Sequence, residues 1–347
     1  MKQNWRAGWK RARERHLHPF HWREAALGVP ALVLLPAIGL WFGDIRPSVV
    51  AAGAAFVVGF GSARELGKRR WGAMIAVALG MPIAALVGTL AGQNDAIYIP
   101  LAALLAAGVA ALALFDENLW WCTLQVVIGC FVAGFYHGPL AAALERTELV
   151  LAGGIAQLAI VWILAHLFPA ARHPITHPAP LPPPERGLLI AHMVRAAVCV
   201  SAGLLVIAPL GLANGYWAPM TALLVLKPRL RDTGTRGLAR LGGTLAGCVV
   251  ATLYAMLCRD APWMLIAGMA IAAGGAYALQ KAHYASLTLS ITATIVLLIS
   301  LVDGAPLLNA EHRIAATLIG GALALTAAIL TPSSLPRRAR EADRVGG

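Results

Sequence analysis

Apolar residues gather into twelve stretches along the chain, near residues 24–43, 47–62, 71–92, 96–115, 119–136 and 148–168, then 188–212, 215–227, 238–258, 262–280, 284–302 and 312–332. Most are long enough to cross a hydrocarbon core of about 30 Å as a helix, and Pro, Gly or charge bounds most of them. The pattern predicts an all-α polytopic membrane protein of about twelve transmembrane helices. Two stretches, 47–62 and 215–227, are short, roughly 13 to 16 residues, as expected of tilted, broken or partly re-entrant segments. They hold the same place in the two halves of the chain, which points to one shared functional cause.

The halves also match residue by residue. A shift of 167 lays Arg64, Glu65, Gly67, Arg69 and Gly80 on Arg231, Asp232, Gly234, Arg236 and Gly247 without a gap, Arg146 on Arg313, and Gly153 and Gly154 on Gly320 and Gly321. The expected organisation is a basic tail (1–23), a first transmembrane repeat (24–168), a proline-rich linker (169–187), a second repeat (188–332) and a basic tail (333–347). Six spans per half make the repeats parallel, and substrate sites of secondary transporters commonly lie between such units. The seven prolines of the linker favour an extended spacer over a helix.

Composition narrows the class. With 59% apolar residues, 13% charged and a mean hydropathy of +0.71, too few polar side chains remain to cover a soluble globule. The net charge is +12, and all but four of the 28 Lys and Arg residues, namely Arg46, Arg146, Arg259 and Arg313, fall in segments that are cytoplasmic when both termini are inside. The charge is therefore a topology signal, placing a multi-pass protein in a membrane with both termini cytoplasmic. No aromatic-interleaved basic domain stands apart from the membrane, so nucleic acid is not an expected partner. Five cysteines without metal-like spacing read as packing residues, and His16, His18 and His21 sit in a basic tail, so neither metal nor cofactor is expected. The N-terminal segment reads as an uncleaved start.

Tyr216, Trp217, Pro219 and Thr221, then Lys227 and Pro228, then Arg236, Arg240, Gly242, Gly243, Thr244 and Gly247 form a string that resembles the signature of the fusaric acid resistance and aromatic acid exporter superfamily. The likeness is strongest over 188–335, where EHRIAATLIGGALAL is similar to that family's last span, and weaker over 24–168. The resemblance implies an inner-membrane exporter of small organic, aromatic carboxylic acids. Membrane lipids, an organic anion, a periplasmic adaptor protein and a homo-oligomer are its implied partners. Plant relatives conduct organic anions such as malate. Unlike the larger members, this chain has only the proline linker between its halves.

The residues supply candidate chemistry of their own. Arg195 and Arg240 lie close to apolar segment interiors, where an arginine costs about 2.5 to 3.5 kcal/mol and is paired, snorkelling or facing a cavity. Lys227 and Arg236 flank a loop that either anchors to anionic lipid or forms a cationic vestibule for a carboxylate. Tyr216 and Trp217 suit either an interfacial belt or a ring-stacking mouth. Thr221, Ser290 and Thr292, with Thr123 and Gln125 matching the last two under the shift, either line a pathway or hydrogen-bond within and between helices. Gly88 with Gly92 and Gly243 with Gly247 form GxxxG pairs suited to close helix packing. Every Asp and Glu lies in a loop, tail or span end, so a carboxylate proton relay is not visible. An organic anion leaving a negative-inside cell needs none, because the potential contributes about 2.3 kcal/mol per charge per 100 mV. The alternatives are a channel-like anion conductance, a non-transporting scaffold and a membrane enzyme acting on a lipid phosphate. No Walker loop, HExxH or GxSxG with partners supports an enzyme.

Overall fold

The computed structural model describes residues 21–67, 69–168, 183–212, 214–228, 230–280, 283–303 and 306–330. Most of the linker, residues 169–182, and the tail residues 1–20, with His16 and His18, and 331–347 lie outside the described residues. Among those described, the fold is all-helical: α1 (Trp22–Phe42), α2 (Ile45–Gly59), α3 (Gly72–Ala91), α4 (Asp95–Leu112), α5 (Glu117–Phe135) and α6 (Leu140–Leu167) form the first half. The second comprises α7 (Arg186–Ile207), α8 (Trp217–Val225), α9 (Leu230–Leu257), α10 (Pro262–Ala278), α11 (Tyr284–Ser300) and α12 (Pro306–Leu330). Among the described residues nine segments are long and apolar enough to cross a membrane, and the protein is a multi-pass membrane protein.

Local chemistry sets several boundaries. Asp44, Asn94 and Asp116 each accept a backbone N–H from the first turn of the helix that follows, satisfying one of the donors a helix start leaves open. Gly43 ends α1 in the left-handed conformation, at φ 78°.

The two stretches expected to be short diverge. The first continues through a 3-10 turn at Phe60–Ala63 into a 19-residue segment, Ile45–Ala63. The second keeps only the nine residues of α8, about 14 Å of helix at 1.5 Å per residue, under half a hydrocarbon core. Irregular backbone therefore flanks α8 at both ends, tolerated at membrane depth only where protein or a cavity encloses it. Asn214, at φ 59°, and Gly215 are accordingly buried.

Three helices start earlier than the hydrophobic pattern suggests. α6 begins at Leu140, α9 at Leu230 and α12 at Pro306, which carries Arg146 and Arg236 from loops into helices and sets Arg240 and Arg313 deeper inside theirs.

Helix contacts pair off under a shift of six helices. α3 packs on α5 as α9 packs on α11, α2 on α6 as α8 on α12, and α1 on α2 as α7 on α8. Contacts between the halves obey the same shift: α4 packs on α7, and α10 on α1. The closest approaches use glycine: a Cβ at Gly243 or Gly247 would collide with backbone of α11 at Ala285 and Leu289, and one at Gly88 or Gly92 with α5 at Cys130 and Gly134. Successive reversals collect the loops at two ends of the bundle. The end where α6 stops and α7 starts is called the linker face below.

Candidate functional site

α8 is the helix around which the polar interior is built. Gly320 of α12 lies so close to Ala218 and Thr221 that a side chain there would strike the Ala218 carbonyl. This brings Arg313, seven residues and about 10 Å into α12, up against Trp217. The guanidinium carbon stands 3.4 Å from the indole centroid, a cation-π contact made away from water. Arg313 is 3% exposed and donates from Nη2 to Thr292 Oγ1 at 3.2 Å, while its Nε and Nη1 have no hydrogen-bond partner.

A second cation stands nearby. Arg240, ten residues and about 15 Å into α9, is 4% exposed, with an unpartnered Nε. It neighbours the Tyr284 hydroxyl and lies within electrostatic reach of Arg313. Thr221 is fully buried with its hydroxyl unpartnered. Among the described residues no carboxylate pairs with either arginine. Two buried cations, open donors and an aromatic wall are an arrangement that can accept an anion: an unpaired buried charge is costly, and a carboxylate would accept the free N–H groups.

The remaining sequence candidates divide. Arg236 donates from Nε to the Leu224 carbonyl at 2.9 Å and lies over the Tyr284 ring, so it fastens α9 to α8 and α11. Thr233, in the first turn of α9, accepts the Lys227 N–H and donates to the Lys227 carbonyl, which fixes the turn after α8. Lys227 then stands 4.7 Å from the Trp120 ring, and desolvation, with Arg236 adding to it, pushes its pKa down to about 8. Arg195 donates to the Ala191 and Pro228 carbonyls. Tyr216 and Trp217 are buried, at 7% and 4% exposure, so neither is a lipid-facing belt residue. In the polar stripe of α11 Thr288 and Thr294 bond back to their own helix. Thr292 serves Arg313, and Ser290 lies against Gly275 of α10. Thr123 and Gln125 are half-buried on α5.

Two cavities flank this region. At the linker face a cavity of about 190 Å³ is lined by Trp120, His192 and Lys227 among apolar residues. At the opposite end one of about 410 Å³ is walled by Tyr98, Phe131, Phe135, His137 and Tyr216. A polar chain crosses that end: Tyr136 donates to Asn214 Oδ1, and Asn309 Nδ2 donates to Asp303 at 2.9 Å, while Asn214 Nδ2 reaches Asn309 Oδ1 at 3.5 Å.

Sequence reasoning missed Arg313 and His192. Arg313 read as an outer loop charge because Glu311 and His312 precede it, although Leu307 and Leu308 extend the apolar run. His192 was an isolated polar residue three positions before Arg195, on the same helix face.

Residues 196–327, the segment that holds α8 and both interior arginines, match a family described as fusaric acid resistance protein-like. An "Uncharacterized protein ORF2" of Neisseria gonorrhoeae is 32% identical over 80 residues, 22% of this chain and 19% of that relative, so the chain spans under a fifth of the relative's length. No solved structure matches the chain.

Proposed function

We propose that the protein, whose residues 196–327 match a family described as fusaric acid resistance protein-like, moves small organic acids, aromatic carboxylates foremost, outward across a bacterial inner membrane. The observation that carries this reading is the pair Arg240 and Arg313, both buried and without carboxylate partners, with Trp217 as an aromatic wall. A carboxylate entering between them restores charge balance and fills the open donors, and the indole favours a planar ring beside it. In this reading two parallel six-helix units, related by the six-helix shift of contacts, enclose the site. The linker face is cytoplasmic, as the basic residues require. The protein is not an enzyme in this account: its residues hold and release an anion.

A channel-like conductance is the second reading, favoured because among the described residues no carboxylate pairs with Arg240 or Arg313 to relay protons there. The test is flux in proteoliposomes with benzoate, a two-ring monocarboxylate, malate and the neutral benzamide. Saturable benzoate flux far above that of benzamide supports the transporter. Non-saturating flux supports the conductance, and equal flux of acid and amide contradicts an anion site.

A further inference from the structure

The halves meet at two equivalent junctions, α1 with α10 and α7 with α4. At the first, Tyr277 of α10 is fully buried. Its hydroxyl donates to the Phe56 carbonyl at 2.9 Å, its ring packs on those of Phe56 and Phe60, and Gly28 and Gly59 leave room for it. Beyond it Gln280 donates to Glu24 at 2.7 Å. That junction is filled.

Subtracting 167 from Tyr277 gives Ala110, and from Gln280 Ala113; both line the cavity of about 190 Å³ at the second junction. The residue that matches Phe60 there is Lys227. Where the first junction has a phenol plug against a benzyl ring, the second has a methyl group and an ammonium. The substitutions that empty the space also charge it. His192, 3% exposed, adds a ring whose Nδ1 has no hydrogen-bond partner, and Trp120 supplies an indole face. Arg195 and Lys227 are both within electrostatic reach of His192, which favours an anion between them.

We propose that the Ala110 cavity is a carboxylate-binding intake site on the linker face, Lys227 and His192 Nδ1–H holding the carboxylate and Trp120 the planar part of a small acid, while the Tyr277 junction is its permanently plugged twin. The donor role fixes the His192 tautomer with the proton on Nδ1. A cavity this size excludes large amphiphiles and admits a single-ring acid. The site extends the transport reading and takes from it only the direction of flow.

Acetic anhydride labelling of Lys227 in the purified full-length protein, followed by peptide mass analysis, reads this site locally. Saturating benzoate should slow labelling at Lys227 about tenfold, and benzamide should leave it unchanged. Ala110→Tyr, which copies the plug, should make labelling indifferent to benzoate, and His192→Phe should weaken the protection at similar bulk. Should Ala110→Tyr fail to fold, His192→Phe decides alone. Labelling that ignores benzoate in the native protein, or responds equally to benzamide, overturns the site. Protection without benzoate flux keeps the site and sinks the transport reading; flux without protection does the reverse. Arg313→Gln should abolish flux and keep the protection.

Discussion

Arg146 and Arg313 stand 167 residues apart near the starts of matching helices, yet one is satisfied and the other is not. Arg146 donates to Thr89 Oγ1 at 2.7 Å and to the Tyr136 carbonyl at 2.5 Å, a carbonyl left free because α5 has ended there. Arg313 turns instead toward the middle of α11 and lies on Trp217, where the first half has Val50, with two nitrogens unpartnered. The junctions repeat the contrast: Tyr277 fills one, Ala110 leaves the other open. In the first half Arg146 is a structural bolt; in the second Arg236 is one too, fastened to the Leu224 carbonyl, and on the reading proposed above Arg313 and Arg240 are the anion receptors.

The sharpest way to break this contrast is to neutralise both arginines separately. Arg313→Gln should lower benzoate flux by roughly a hundredfold, the equivalent of about 3 kcal/mol of lost charge-assisted bonding, with normal abundance. Arg146→Gln should instead cost about 1 to 3 kcal/mol of stability, seen as a lower Tm, with the KM for benzoate unchanged. Equal loss of flux per molecule in both would erase the distinction.

Arg240→Gln should raise the apparent KM for benzoate about tenfold, and Arg240→Lys should recover part of the loss because the charge returns without the planar fork. Unchanged KM with reduced abundance would make Arg240 a bolt as well.

A smaller effect concerns pH at the linker face. Lys227 faces Glu117 on α5, Asp232 and Arg236 on α9, and His192 on α7, and desolvation brings its pKa down to about 8. Its charge is present below that pH and lost above it, so KM for benzoate should rise severalfold as the pH on that side passes from 7 to 9. Lys227→Arg should flatten the profile, because guanidinium stays charged. A flat profile in the native protein would remove Lys227 from anion binding. Smallest is a labelling contrast: single cysteines at the matched positions 67 and 234 should react with an impermeant thiol reagent from the same, inner side, and one at position 95 from outside. Labelling of 67 and 234 from opposite sides would break the parallel arrangement.

Much of the fold was legible because each span is an apolar run and each loop carries Gly, Pro or charge, so that the described residues are all-helical, with nine helical segments long and apolar enough to cross a membrane. Boundaries were less so where a helix begins in polar sequence: Leu230–Arg240 is amphipathic, and its charges as far as Arg236 read as loop although its backbone is helical. That error hid Arg313, whose span seemed to begin at residue 312. Arg240 and Lys227 could be singled out from charge beside apolar sequence. The cavity at Ala110 could not, because a missing side chain leaves no mark on the chain; only the contact of α4 with α7, set beside Tyr277 at the equivalent place, gives it meaning.

The central claim is that a monoanion crosses through the second half's unpaired arginines, and the most direct measurement is the distribution of benzoate across proteoliposomes under an imposed potential. At 100 mV, negative on the side where linker-face residue 234 is labelled, with no pH difference, a single charge carries about 2.3 kcal/mol. Benzoate should therefore be driven to the positive side to about a fiftyfold ratio, and the Arg313→Gln protein should move it no faster than empty vesicles. A benzoate distribution that ignores the potential and follows only an imposed pH difference would contradict the account.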